Sequence, residues 1–250
     1  MSDSDQHDSS RSAGGGAFTT THWSVVLRAG RSESPAAQAA LAELCQAYWY
    51  PLYAYIRRQG HGVDAAKDLA QDFFAGLVTK RFFSAAKPEK GRFRAFLLVT
   101  LKRFLINEWH RERAQKRGGG APVISIDECL AESRYGLEPA HGESADVLFD
   151  RQWAMTLLER VLAQLEQDYA AAGKKELFGL LRGCIAQSSA APSYAETAAQ
   201  LGMTEGAVKV AAHRLRSRYR ELLRAEIAQT VSSPEDVDEE LRHLFATFSA

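Results

Sequence analysis

The chain has 250 residues, with 31 Lys and Arg against 31 Asp and Glu, so its formal net charge is zero. Hydrophobic residues make up 46% and charged residues 25%, which excludes a wholly disordered, fibrous or membrane-embedded chain and fits one or two globular domains. The longest aliphatic run, Phe96 to Val99, is far too short to span a bilayer, and Met1 to Gly16 is a polar, Gly/Ser-rich stretch without an apolar signal core. Cys45, Cys129 and Cys184 are too far apart for a CxxC metal site or a disulfide framework, so a reducing, cytoplasmic location is expected.

In chain order the pattern is helical, and period-two alternation is nearly absent. After the tail (1–17), Thr21 caps a short apolar segment from Trp23 to Leu27. Ser34-Pro35 opens an Ala-rich helix to about Tyr48, and a second stretch runs from Pro51 to Arg58, ending at Gly60 and Gly62. Asp64 then caps a helix to about Thr79, and Phe82 to Arg92 reads as a basic loop. A long helix follows, Phe93 to Lys116, and Gly118-Gly119-Gly120-Ala121-Pro122 breaks it. The segment 118–145 is polar and acidic, as an interdomain linker would be. Beyond it Trp153, Leu157, Leu158, Val161, Leu162, Leu165 and Tyr169 form a stripe of period 3.6. Helices then cover about Lys174 to Gln187, Ser193 to Leu201 and Glu205 to about Ala228. Ser233-Pro234 starts a last amphipathic helix in 229–250, with Val237, Leu241, Leu244, Phe245 and Phe248 on one face. The expected fold class is all-α, two small helical domains (18–117 and 146–228) joined by the acidic linker.

The zero net charge hides segregation. Lys87 to Arg117 holds ten basic residues against three acids, and Lys209 to Arg224 six against one. Asp127 to Asp150 holds seven acids against one base, and Ser232 to Glu240 five acids and no base. Two separate basic blocks are either solvated faces or surfaces that meet an anionic partner.

The most specific local pattern runs from Ser193 to Val208. Ser193 with Glu196 makes a capping box, and Gly202 supplies the left-handed backbone of a tight helix–helix turn. Thr204 caps the second helix, whose core stripe is Val208, Ala212, Leu215 and Tyr219. Its other face presents Lys209, His213, Arg214, Arg216 and Arg220. That is a helix-turn-helix pattern, in which Glu205 and Lys209 would meet base edges and His213, Arg214 and Arg216 bases or phosphates. An ordinary helical hairpin with a solvated basic helix is the plainer reading.

On the long helix Phe93, Phe96, Leu97, Leu101 and Phe104 share one side, and Arg92, Lys102, Arg103, His110 and Arg113 another, next to Val99, Ile106 and Trp109. Basic and flat apolar groups together suit phosphate contact and base stacking, and equally suit Ile106 and Trp109 packing on a neighbouring helix. Lys87 and Lys90 extend that surface through the preceding loop. On the helix from Asp64, the residues Asp64, Asp68, Gln71 and Asp72 face away from Ala66, Leu69, Ala70, Phe73 and Leu77. No His or further acid joins the carboxylates at ligand spacing, so this face is either solvated or a docking surface rather than a metal site. Neither Gly-rich run ends in GK[ST], and Trp109 to Arg113 is not HExxH, so no enzyme chemistry and no cofactor are expected.

Together these segments resemble the bacterial RNA polymerase sigma factors of the extracytoplasmic-function type. Asp64 to Leu77 is similar to the segment that docks on the β′ clamp helices. Arg94 to Leu97 with Asn107 to Arg111 resembles the promoter-melting, minus-ten-reading helix, and Ser193 to Arg220 the minus-thirty-five-reading helix-turn-helix. The resemblance makes 18–117 sigma domain two and 146–228 sigma domain four. It implies polymerase contacts through Asp64, Asp68, Gln71, Asp72 and Phe73. It implies promoter contacts through Lys87, Lys90, Arg92, Lys102, Arg103, Asn107, His110, Arg111 and Arg113, and through Thr204, Glu205, Lys209, His213, Arg214 and Arg216. The implied partners are core RNA polymerase (β′ clamp and β flap), double- and single-stranded promoter DNA, and an anti-sigma factor or regulatory kinase. The implied location is the nucleoid when bound to polymerase.

Lys67, where the family usually has an acid, departs from the pattern. Phe18 to Leu27 and Val231 to Ala250 lie outside the minimal family and look like a planctomycete-type subgroup. In this reading the linker would mimic nucleic acid in the polymerase cleft, and the acidic start of 229–250 would shield a basic DNA face. The rival reading is a two-domain helix-turn-helix regulator that never binds core polymerase.

Overall fold

The structure is a computed structural model and describes residues 35–78, 92–114, 134–136, 143–185, 193–231 and 233–248. The tail, the Trp23–Leu27 segment, the Phe82–Gly91 loop and most of the linker lie outside the described residues. Among those described there is no strand, and no helix is long and apolar enough to cross a membrane.

The helices are α1 (Pro35–Arg58), α2 (Val63–Val78), α3 (Phe93–Ala114), α4 (Ala145–Ala171), α5 (Lys175–Leu181), α6 (Tyr194–Leu201), α7 (Glu205–Ala228) and α8 (Val237–Ala246). Short 3₁₀ turns follow α5 at Arg182–Cys184 and precede α8 at Pro234–Asp236. The two helical stretches expected on either side of Pro51 are one helix of 24 residues with the proline inside it. A mid-helix proline removes a backbone donor and clashes with the preceding turn. Burial outweighs that cost here, because Leu52, Tyr53, Ala54, Tyr55 and Ile56 are each at most 3% exposed. Other boundaries shift less. Asp64 lies in the first turn of α2 rather than at its cap. The helix expected from Lys174 to Gln187 is α for only seven residues and then tightens to 3₁₀.

A helix buried on all sides needs cover on all sides. Around α1 this comes from Ala66, Ala70, Phe73, Phe74 and Leu77 of α2, and from Phe93, Leu97, Leu101 and Phe104 of α3. It also comes from Leu148, Phe149, Trp153, Leu157 and Val161 of α4. Leu223 and Ile227 of α7, Val231, Val237 and Leu244 complete the same cluster. The first core therefore draws on both sides of segment 118–145, where two separate domains were expected. Even the described part of that segment is engaged: Arg57 lies over the Tyr135 ring at 4.9 Å, and Arg134 over Tyr50 at 4.2 Å.

A second, smaller cluster joins Leu165, Phe178, Leu181, Cys184, Ala198, Val208, Ala212 and Leu215. The same two helices, α4 and α7, run through both clusters. The pairs Arg160–Glu226 at 3.3 Å and Asp168–Arg218 at 3.1 Å step along them in opposite directions, so they lie antiparallel. At 27 and 24 residues they are about 40 and 36 Å long, enough to reach from one cluster into the other.

Two outcomes test this packing. Leu52→Ala should remove about 3 kcal/mol of stability, read as a lower denaturant midpoint at unchanged slope. Burial also pushes the Cys45 thiol up to about 12. Alkylation followed by peptide mass spectrometry at pH 8 should therefore leave Cys45 unmodified in the native chain and label it after denaturation.

Candidate nucleic-acid interface

Local sequence builds the helix-turn-helix with little help from elsewhere. The Ser193 hydroxyl accepts from the Glu196 N–H at 3.2 Å, and the Glu196 carboxylate accepts from the Ser193 N–H at 2.8 Å, closing the capping box. The bond from the Ser193 N–H foremost, and one that the Ser193 hydroxyl donates to the same carboxylate at 2.8 Å, hold the Glu196 carboxyl below its ordinary range. Gly202 has φ 62°, the left-handed conformation the turn requires. The Met203 N–H then reaches the Ala198 carbonyl at 3.0 Å. The Thr204 hydroxyl caps α7 by accepting from the Ala207 N–H at 3.2 Å. Val208, Ala212 and Leu215 are fully buried beneath, so the opposite face of α7 is necessarily outward.

That outward face carries Thr204, Glu205, Lys209, His213 and Arg214, all exposed. Arg216 is half-buried and reaches the Tyr194 hydroxyl at a long 3.5 Å. Glu205 and Lys209 pair with each other at 2.7 Å, which raises the lysine pKa, so both would have to re-aim to meet a base edge. Sequence reasoning missed Val210, half exposed beside His213 and Arg214, and the turn residue Met203. Helical spacing placed Val210 there, but attention to charge passed over it. Exposed apolar groups in such a face suit thymine methyls.

Helix α3 presents a second candidate surface. Val99, Ile106 and Trp109 are 48%, 57% and 52% exposed, so about half of each side chain faces outward. Arg103, Asn107, His110 and Arg111 are exposed with them, and Arg111 pairs with Glu108 at 2.7 Å. Lys102 is held instead by Asp146 of α4 at 2.6 Å. Arg92 is held by Glu239 at 2.6 Å and Glu240 at 2.7 Å, so two expected phosphate contacts are engaged inside the molecule. Lys87 and Lys90 lie outside the described residues, as does the side chain of Arg113.

The acidic face of α2 is as its amphipathy implies: Asp64, Asp68 and Asp72 are exposed and Gln71 half-buried. Phe73, which the resemblance places in the same segment, is fully buried, its ring 5.7 Å from that of Phe104. Among the described residues no group of three or more acids, His or Cys could hold a metal ion.

The least anticipated feature is Arg94, with only 5% of its surface exposed. Its Nε donates to Glu240 at 2.7 Å, its Nη1 donates to Asp150, and the guanidinium lies 4.9 Å from the centre of the Trp153 ring. Burial opposes its charge, but the bonds and charges of Glu240 and Asp150 outweigh burial and raise its pKa above the ordinary value. Glu240 itself has no exposed surface, and the acidic run it belongs to meets Arg92 and Arg94 at the start of α3.

Compared with known proteins, the chain matches no family, no curated protein and no solved structure. The helix-turn-helix geometry and the charge of its outward face therefore carry the functional argument. Gly202→Ala has open space for its methyl, so the cost is the backbone strain alone, about 1 kcal/mol. Thermal melting should show that loss.

Proposed function

We propose that the chain is a promoter-recognition subunit of RNA polymerase, a sigma factor of the extracytoplasmic-function type. The observation that carries this reading is the capped, glycine-turned α6–α7 pair with Lys209, His213 and Arg214 on its outward face. In the major groove, α7 would place its first turns against base edges and its later cations against phosphates. A recognition helix alone defines only a DNA-binding protein. Two further features support the polymerase reading: the exposed carboxylate row Asp64, Asp68 and Asp72 as a docking face for the β′ clamp, and the exposed Trp109, Ile106 and Arg103 on α3. Flat apolar groups beside cations suit unstacked bases of a melted promoter. Domain four would also meet the β flap.

The rival is a helix-turn-helix regulator that binds DNA without core polymerase. It is favoured by the engagement of Arg92 and Lys102 within the molecule, which leaves α3 fewer cations for nucleic acid. Run-off transcription with purified core polymerase over a promoter library separates the two. The sigma reading expects specific transcripts that depend on this chain and fall at least tenfold with Asp68→Lys plus Asp72→Lys, while duplex binding by the helix-turn-helix persists. No transcript from any promoter, with DNA binding intact, would establish the regulator instead.

A further inference from the structure

The segment after α7 crosses the start of α3 and closes on it. The Phe93 N–H donates to the Thr230 carbonyl at 2.9 Å, and Val231, Val237 and Leu244 are buried in the first core beside α3 and α4. Glu240 then receives two guanidinium groups from α3, Arg92 and Arg94, each through Nε at 2.7 Å. Arg94 continues to Asp150 on α4, and Arg224 of α7 pairs with Asp238. One carboxylate with no exposed surface thus sits where α3, α4 and α8 meet.

A buried carboxylate facing two cations is costly to desolvate, and replacing one partner leaves a buried charge without its counterion. Breaking one pair at a time is therefore unfavourable, and any opening that solvates all these charges together costs less than one that strands a charge inside. In the closed state Arg92 is turned inward to Glu239 and Glu240, and α3 is fixed against α4, the first long helix of the second half.

We propose that residues 233–248 form an autoinhibitory strap keyed by Glu240, which holds α3 on α4 and withholds Arg92 from nucleic acid until the strap lifts. The regulatory effect rests on the reading of α3 as a nucleic-acid contact; the mechanical closure does not. When only a fraction of molecules is open, the apparent affinity for DNA falls by that fraction. Lifting the strap restores it and adds one cation to the phosphate contacts.

The test uses the full chain with Glu240→Gln, which keeps shape and removes charge, and Glu239→Gln, which removes only the outer pair to Arg92. Hydrogen exchange by mass spectrometry reads closure, and anisotropy of a fluorescein-labelled random-sequence duplex with an unpaired bubble reads binding. For Glu240→Gln we expect faster exchange in 93–101 and 237–246 with 194–215 unchanged. We also expect binding about three- to tenfold tighter, and a salt dependence steeper by about one phosphate contact. Unchanged exchange would refute the strap, whatever the DNA result. Faster exchange without tighter binding would refute autoinhibition. If Glu240→Gln loosens 194–215 as well, Glu239→Gln decides: tighter binding with faster exchange confined to 93–101 and 237–246 upholds the proposal, and unchanged binding overturns it. Failure of the polymerase reading looks different, as tighter DNA binding by Glu240→Gln with no transcript from core polymerase.

Discussion

Everything in this fold follows from the need to cover α1. Its middle is apolar on every side, so no single partner helix can bury it. Helices α2 and α3 cover part, and the remainder is closed by α4 and the end of α7, which arrive from beyond the acidic segment. Because α4 and α7 also build the second core, covering α1 joins the two halves into one packed arrangement. Pro51 is tolerated for the same reason: the lost hydrogen bond is small beside five almost fully buried residues after it.

Joining the halves brings their charges together. The first half is basic near α3 and the second acidic near the starts of α4 and α8, so closure matches Lys102 with Asp146 and Arg94 with Asp150 and Glu240. Overall neutrality is therefore realised in part as specific pairs between segments far apart in the chain, not as a uniformly mixed surface. Where matching stops, at the outward faces of α7 and the middle of α3, the exposed side chains of Arg103, His213 and Arg214 remain available to an anionic polymer. Under the proposed function those are the surfaces that promoter DNA would meet, and the matched region is the one that must rearrange for Arg92 to join them.

Much of the candidate site was legible in the residues because its determinants are local. Capping links Ser193 to Glu196 and Thr204 to Ala207, the turn needs one glycine, and the stripe Val208–Ala212–Leu215 recurs at helical spacing. The acidic face of α2 and the burial of Ala66, Ala70 and Leu77 follow from the same periodicity. That periodicity also places Phe73 among the core residues, and it is fully buried.

What the amino-acid order determined by itself is thus the helices, their caps and turn, and which face of most of them is apolar, since each depends on residues within one or two turns. Only the tertiary structure decided which face meets which. Periodicity marks an apolar stripe without naming its partner, so neither the pairing of α1 with α4 nor the shared core had a local signature. The bond between Arg94 and Glu240 spans 146 positions, and nothing near either residue distinguishes a buried ion from a solvated one. Of the apolar face expected for 229–250, Val237 and Leu244 are buried and Leu241 packs against the same core, but Phe245 and Phe248 are exposed and Glu240 points inward. A carboxylate is buried here because two guanidinium groups at the start of α3 meet it, and that is a fact of assembly in three dimensions.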